Sequence, residues 1–379
     1  MLILVINCGS SSAKYDLFDV KKEASLCRGI VERIGEGSSG LTHEAEGKGT
    51  VQKKASCPDH HRAIEIIKDA LTDPAKGVLK SVDEVAGVGH RVVHGGEEFN
   101  ESIRIDDKVL KSIEKFSELA PLHNPPSLEG IKGCMKIFHW APQIAVFDTA
   151  FHQTMKEKAF CYGIPYGFYK KYGIRKYGFH GTSHRYISGK AAEILARPLK
   201  ELNLITVHLG NGCSIAAVEK GRSVDTSMGF TPLEGLLMGT RSGDLDPAVV
   251  TFLMQRENLG VEEINDMLNK KCGLLGVSGI SNDMRDILKG IREGNERARL
   301  AYDIFVYRIK KYIGSYAAVL GKADAVVFTA GIGENVPQIK DSIEKDLKSM
   351  MGGAKFMTVK TNEELLIAKD TYGIISKKK

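Results

Sequence analysis

The chain has 379 residues, 42% hydrophobic and 26% charged, with a net charge of +6 from 53 basic and 47 acidic side chains. That balance excludes a disordered chain, and the length exceeds one typical core, so two to three domains are expected. Its 40 glycines exceed the ~27 of average usage and point to several tight turns where backbone approaches something closely.

No apolar run nears the ~18 residues of a membrane span, and the opening run at residues 2–6 is too short, and lacks the basic leader, for a signal peptide. Cys8, Cys27, Cys57, Cys134, Cys161, Cys213 and Cys272 are odd in number, scattered and without a C-x-x-C. They argue against a disulfide framework or a cysteine zinc site and for a reducing cytoplasm. The positive surplus is dispersed, and the run Lys377-Lys378-Lys379 reads as a solvated tail. Neither a nucleic-acid nor a membrane partner is expected, while small anionic ligands are favoured.

In chain order, residues 2–6 read as a buried strand, followed by a small-residue turn at 7–12 and a second strand at about 14–20. A short third strand is expected near Ile30. Helical spacing recurs at 60–72 and at 107–119, where Val109, Ile113 and Phe116 form a stripe, with a strand at 85–93 between them. Residues 122–126 (LHNPP) are expected as an extended loop, because each proline biases its predecessor away from helix. A helix from Ser127 and a strand at 144–147, ending in Asp148, follow. The opening grammar then recurs: apolar strand 204–209, turn Gly210-Asn211-Gly212, strand 214–219. Two such openings imply two related α/β halves. Asp246-Pro247 starts a helix, and a long helix near 296–320, striped by Ala301, Phe305, Tyr312, Tyr316 and Leu320, stops at Gly321. Strand 325–329 leads to a third glycine turn, Gly331-Ile332-Gly333-Glu334-Asn335, and a helix with Pro337 in its first turn.

The phosphate loop G-x-x-x-x-G-K-[ST] is absent, and Val336 stands where a dinucleotide fingerprint needs a third glycine. What remains is three glycine-rich turns after apolar strands, whose N–H groups suit phosphate oxygens, with Lys14 as a point charge nearby. Ordinary hairpins are the plainer reading of each. In Gly89-His90-Arg91-Val92-Val93-His94-Gly95-Gly96, alternation puts Arg91 on one face with Val93, which suits a small anion with an apolar tail. A salt bridge to another domain would also explain it. Asp148 is either a functional carboxylate at a strand end or a helix cap before Phe151. Arg241 lies in a polar glycine loop beside Asp244 and Asp246, either as a ligand or as their ion-pair partner. His180 and His184 have i,i+4 spacing but lack the H-E-x-x-H pattern and a third zinc ligand. His180 reads as a hydrogen-bond donor at a helix start, and His208 as a neighbour of the second glycine turn.

The motifs Asn7-Cys-Gly-Ser-Ser-Ser-Ala-Lys14, Gly89-His-Arg-Val-Val-His-Gly-Gly96, Phe179-His-Gly-Thr-Ser-His184, Met238-Gly-Thr-Arg-Ser-Gly-Asp244 and Ala330-Gly-Ile-Gly-Glu-Asn335 resemble the acetate kinase family in order and spacing over nearly the whole chain. The resemblance implies two related domains of the actin-like ATPase (ribonuclease H-like) superfold with a nucleotide cleft between them, usually in a homodimer. Residues 1–148, completed by 364–379, would form the substrate and magnesium domain, and 149–363 the nucleotide domain. Asn7 and Glu363 would serve Mg²⁺ (with Mn²⁺ able to substitute), and Lys14 the nucleotide phosphates. ATP or ADP would contact His208, Leu209, Gly210, Asn211, Gly212, Asp283, Met284, Arg285, Gly331, Ile332, Gly333, Glu334 and Asn335. Arg91 would hold the acetate carboxylate, with Val93, Leu122, Phe179 and Pro232 around its methyl group. His180 and Arg241 would stabilise the transition state, and Asp148 is the family's acid/base candidate. The sequence departs from the family's pattern at Ala13 and in a shortened segment at 336–360.

The implied activity is direct in-line phosphoryl transfer between ATP and acetate, in which positioning and cations matter more than covalent chemistry. A carboxylate is already ionised at neutral pH, so Asp148 is expected to orient Mg²⁺ and arginine groups rather than act as a base. A propionate, butyrate or polyol kinase on the same fold, or a non-catalytic actin-like ATP-binding protein, are the alternatives. The arginines favour a short-acid kinase.

Overall fold

Residues 1–121 and 123–377 are described by the computed structural model of the chain. They fall into two units, residues 1–151 with 362–379 and residues 152–361. Glu363, expected at the end of the second domain, therefore belongs to the first unit. Leu122, expected at the substrate methyl group, lies outside the described residues.

The first unit is built on one sheet of eight strands: β1 (Leu2–Gly9), β2 (Ser12–Asp19), β3 (Ala24–Glu32), β4 (Gly40–Ala45), β5 (Gly49–Lys54), β6 (Val85–Val92), β7 (Ile103–Arg104) and β8 (Gln143–Phe147). Their order is β5-β4-β3-β2-β1-β6-β8-β7. Strands β1 to β5 form an antiparallel meander, whereas β1, β6 and β8 run parallel. The helices His60–Leu71 and Asn124–Ile137 lie on one face. There Ile64, Ile67, Cys134 and Phe138 join Leu4, Ile6, Tyr15 and Leu17 in a continuous core. The helix Glu363–Ser376 packs against β6 and β1. Its approach explains two small residues in β6, since a Cβ on Gly89 would lie 2.4 Å from Thr371 Oγ1 and 2.7 Å from Ile367 Cγ2.

Two expectations for this unit are corrected. The opening turn is not the six-residue glycine loop 7–12: β1 continues to Gly9 and β2 begins at Ser12, with Asn7 paired opposite Lys14. The ladder satisfies backbone groups that an open loop would have left for a ligand. The stretch LHNPP is not all loop, because the helix begins at Asn124 and carries Pro125 and Pro126 in its first turn. The N–H groups missing there have no partner within a helix in any case.

The second unit repeats the plan with five strands, β9 (Asn203–Leu209), β10 (Cys213–Glu219), β11 (Arg222–Thr226), β12 (Ala325–Thr329) and β13 (Lys355–Thr358), in the order β11-β10-β9-β12-β13. Strands β9, β10 and β11 are antiparallel, and β9, β12 and β13 are parallel. The 25-residue helix Glu296–Leu320 is capped by Asn295, whose side chain accepts from Ala298 N, and ends at Gly321 with φ +68°. Its Ala301, Phe305, Tyr316 and Leu320 are buried. The third glycine turn is also corrected: β12 runs directly into the short helix Ala330–Asn335. A left-handed Ala330 (φ +66°) makes the corner, and Glu334 Oε1 accepts from Ala330 N at 2.9 Å and from Thr361 N at 3.0 Å. No helix among the described residues is long and apolar enough to cross a membrane.

Both cores enclose histidine. His90 is bonded to Gln143 at 2.8 Å, and His152 to Ser223 at 2.7 Å and the Phe179 carbonyl at 3.0 Å. Burial disfavours the imidazolium and lowers each pKa to about 4. Unfolding restores the ordinary value near ~6.5, so the unfolded chain takes up protons first. Stability is therefore full above about pH 6.5 and lost as pH falls towards 4, by about 1 kcal/mol per pH unit for each ring. Urea unfolding at pH 7, 6 and 5 should show a falling midpoint, and a constant midpoint would contradict this account. Gly89→Ala should lose about 1–3 kcal/mol by overpacking against the helix Glu363–Ser376. Gly37→Ala, where a Cβ meets nothing within 4 Å, should be close to neutral in the same measurement.

Candidate active site

The first unit gathers charge where β1, β2 and β6 meet the start of the helix Glu363–Ser376. The parallel register pairs Ile6 with His90, so the next residues along each strand, Asn7 and Arg91, become neighbours. Arg91 Nε donates to Asp148 Oδ1 at 3.1 Å, and Nη2 to Oδ2 at 2.6 Å, while Nη1 reaches Asn7 Oδ1 at 3.4 Å. Asp148 follows β8 and is only 1% exposed. Both its oxygens accept from Arg91, so Arg91 finds its ion pair within its own unit. The negative charge of Asp148, joined by those of Glu363 and Glu364, outweighs burial and drives the Arg91 pKa further above its ordinary range. Val93, two residues further on, is buried.

Glu363 opens its helix half-buried. Burial pushes its carboxyl up to about 7, Arg91 and Lys14 pull it down, and Asp148 and Glu364 push it up further. Asp16 is likewise raised to about 7, by burial and by Glu364, despite its 2.5 Å bond from Ser25. Carboxylates here outnumber the cations that neutralise them. Sequence reading missed Asp16 and Glu364; the alternation of Lys14 and Asp16 on one face of β2 was the available signal.

In the second unit the turn between β9 and β10 is the focus. A Cβ on Gly212 would stand 3.3 Å from His180 Cε1 and 3.5 Å from Arg241 Nη1, so the bare glycine lets both side chains close on this turn. His180 caps the helix Gly181–Leu195 in the left-handed region (φ +55°), and its Nδ1 lies 2.8 Å from Ser214 Oγ. Its ring stacks on His208 with centroids 4.1 Å apart, and His208 Nδ1 bonds Ser183 Oγ at 2.8 Å. Arg241 Nη1 donates to the Pro232 carbonyl at 3.2 Å rather than to Asp244, which binds Tyr312 and Gly235 N. Burial lowers the Arg241 pKa. Leu209 and Phe179 are buried.

Of the remaining nucleotide candidates, Asn211 Oδ1 accepts from Asn282 Nδ2 at 3.0 Å, which ties the turn to the segment before Asp283. Asp283 caps the helix that begins at Met284 and pairs with Arg285 at 2.5 Å on the surface. Gly331, Ile332, Gly333 and Asn335 lie in the short helix after β12, and Glu334 Oε1 is committed to backbone. Ser214, Ser183 and Asn282 were missed. Among the described residues, no group of three or more His, Cys, Asp or Glu has metal-ligand spacing.

The Acetokinase family model matches residues 2–377. The acetate kinase of Halothermothrix orenii is 53% identical over 99% of this chain and 100% of its own, and that of Desulfitobacterium hafniense is 53% identical over the full length of both. Among solved structures, acetate kinase from Porphyromonas gingivalis superposes with a TM-score of 0.94 at 44% identity, covering 99% of each chain. A propionate kinase from Francisella tularensis gives 0.92 at 42% identity, covering 98% of this chain and 99% of that one. The two related sheets are thus the actin-like ATPase fold of these kinases, and with the family model matched over residues 2–377 the chain belongs to the acetokinase family.

Proposed function

We propose that the chain is an ATP:acetate phosphotransferase, interconverting ATP and acetate with ADP and acetyl phosphate by direct in-line displacement. The observation that carries this reading is 53% identity along the whole chain with acetate kinases. In it, Arg91 binds the acetate carboxylate, Val93, Phe179 and Pro232 surround the methyl group, and His180 and Arg241 stabilise the charge that spreads over the transferring phosphoryl oxygens. Lys14, the turn 210–212, residues 283–285 and the helix 331–335 attend the nucleotide. The first unit supplies Arg91, Val93, Lys14 and the metal donors, and the second supplies Phe179, Pro232, His180, Arg241 and the other nucleotide segments. A propionate kinase is the alternative, since a solved one is also closely similar.

The donor set fits Mg²⁺: Asn7 offers a carboxamide oxygen, and the raised carboxyl of Glu363 sits in an excess of negative charge that a dication would relieve. With few protein ligands such an ion keeps water and phosphate oxygens in its shell. When bound it would supply charge neutralisation at the phosphates. Asp148, engaged by Arg91 through both oxygens, orients that guanidinium, would orient the Mg²⁺ ion through water, and needs no proton from an already ionised acid. Free cysteines throughout suit the cytoplasm. The exposed Tyr166, Phe168, Tyr172 and Phe252 suit burial in a homodimer.

Acyl phosphate trapped as hydroxamate from ATP, Mg²⁺ and acids of increasing length should be greatest with acetate, and a maximum at propionate would select the alternative. Arg91→Ala should raise the acetate KM by about tenfold or more as a charge-assisted partner is lost. An unchanged KM would remove Arg91 from the substrate. Asp148→Asn should lower kcat and recover partly as Mg²⁺ is raised, whereas a loss indifferent to Mg²⁺ would contradict an orienting role.

A further inference from the structure

Behind His180 lies a chain of single-proton hydrogen bonds that the phosphoryl-transfer reading does not use. His180 Nδ1 lies 2.8 Å from Ser214 Oγ, which lies 2.8 Å from His184 Nε2, and His184 Nδ1 lies 2.8 Å from Thr206 Oγ1. The Thr206 hydroxyl donates in turn to the Ala216 carbonyl at 3.4 Å. Ser214, His184 and Thr206 are completely buried, so no solvent proton enters the chain.

Each link has one proton to place, and the far end fixes its direction. A carbonyl only accepts, so the Thr206 proton goes to Ala216 and the Thr206 oxygen accepts from His184 Nδ1–H. Burial, reinforced by His152 and His208, holds the His184 pKa well below the ordinary value. The ring is therefore neutral and carries one N–H, which leaves Nε2 as an acceptor. Ser214 gives its proton there, and its oxygen accepts from His180 Nδ1–H.

We infer that His184 is a positioning residue that acts through Ser214 to hold neutral His180 in the Nδ1–H form, so that His180 donates from Nε2 only as an imidazolium. The inference rests on reading His180 as a donor to the phosphoryl oxygens, and it adds the charge state that donor must have. A neutral ring fixed this way presents a lone pair at Nε2, which repels an anionic oxygen; the doubly protonated ring presents an N–H and a positive charge. The groups facing His180 include His208, stacked on it, Arg241 across Gly212, and His184 behind Ser214. Arg241 disfavours a second cation, whereas an approaching phosphate favours it.

Long-range proton–nitrogen NMR of the wild-type protein labelled at histidine nitrogen, at pH 8.5, reads the tautomers directly. His184 and His180 should both show protonated-type nitrogen at Nδ1 and lone-pair-type nitrogen at Nε2. A His180 Nε2–H form at that pH would overturn the inference. In kinetics, wild-type kcat should fall by about tenfold per pH unit above the His180 pKa, as for a required acid. Ser214→Ala removes the lock and frees the neutral ring to adopt Nε2–H. Its alkaline fall should flatten to about twofold per unit or less, with KM for ATP and acetate changed less than about threefold. A uniform loss of kcat at every pH in Ser214→Ala would mark structural damage and overturn the positioning role. The reading of His180 itself fails separately, if His180→Ala keeps full kcat while the wild-type tautomers stand as described.

Discussion

The Arg91–Asp148 pair is the interaction around which the first unit's charged face is organised. Asp148 is almost wholly removed from water and Arg91 largely so, and a buried ion left without its partner costs about 3–5 kcal/mol. The two come from the ends of neighbouring parallel strands, β6 and β8, so their meeting is a consequence of sheet register rather than of a local motif. Around that pair sit more acids than bases. Arg91 is the positive centre that keeps Asp148, Glu363 and Glu364 from being mutually repulsive. Its place in the fold is therefore set by this balance of charge.

The second unit solves a related problem with neutral groups. The two sheets share a plan, an antiparallel β-meander whose first strand also begins a parallel run, β1-β6-β8 in one and β9-β12-β13 in the other. At the first hairpin of the first unit stand Asn7 and Lys14, directly paired; at the first hairpin of the second stand Gly212, His180 and His208. One site is held by charge, the other by the donor and acceptor assignments of imidazoles and hydroxyls. The second kind tolerates deep burial because every proton has a place to go.

Much of this was legible in the sequence where burial on both faces leaves an apolar run, as at residues 2–6, 204–209 and 325–329, or where caps and stripe agree, as in the helix Glu296–Leu320. Strands β4 and β5 were not legible: β5 (GTVQKK) is polar and mostly exposed, and only pairing with its neighbour makes it a strand. Asn124 begins a helix because its amide is tied to His94, accepting from His94 N at 3.1 Å and donating to His94 O at 3.0 Å. Two prolines alone read equally well as loop. The helix after β12 depends on Glu334 reaching Thr361, 27 residues away. Among the candidate residues, Arg91 stood out as a charge sharing a strand face with Val93. Ser214 did not, because a serine among small apolar residues signals nothing until its two histidine partners are in place.

The helix Glu363–Ser376 closes the first unit although it is made after the entire second one. On the ribosome, β6 emerges with Gly87 and Gly89 forming a groove that has nothing to fill it. It waits for the whole second unit to be translated, roughly 10–40 s at about 5–20 residues per second. Glu363 arrives with that same helix, so a nascent or prematurely terminated chain lacks both the packing of β6 and the carboxylate beside Arg91. Synthesis of this helix and assembly of the charged face are thereby a single event.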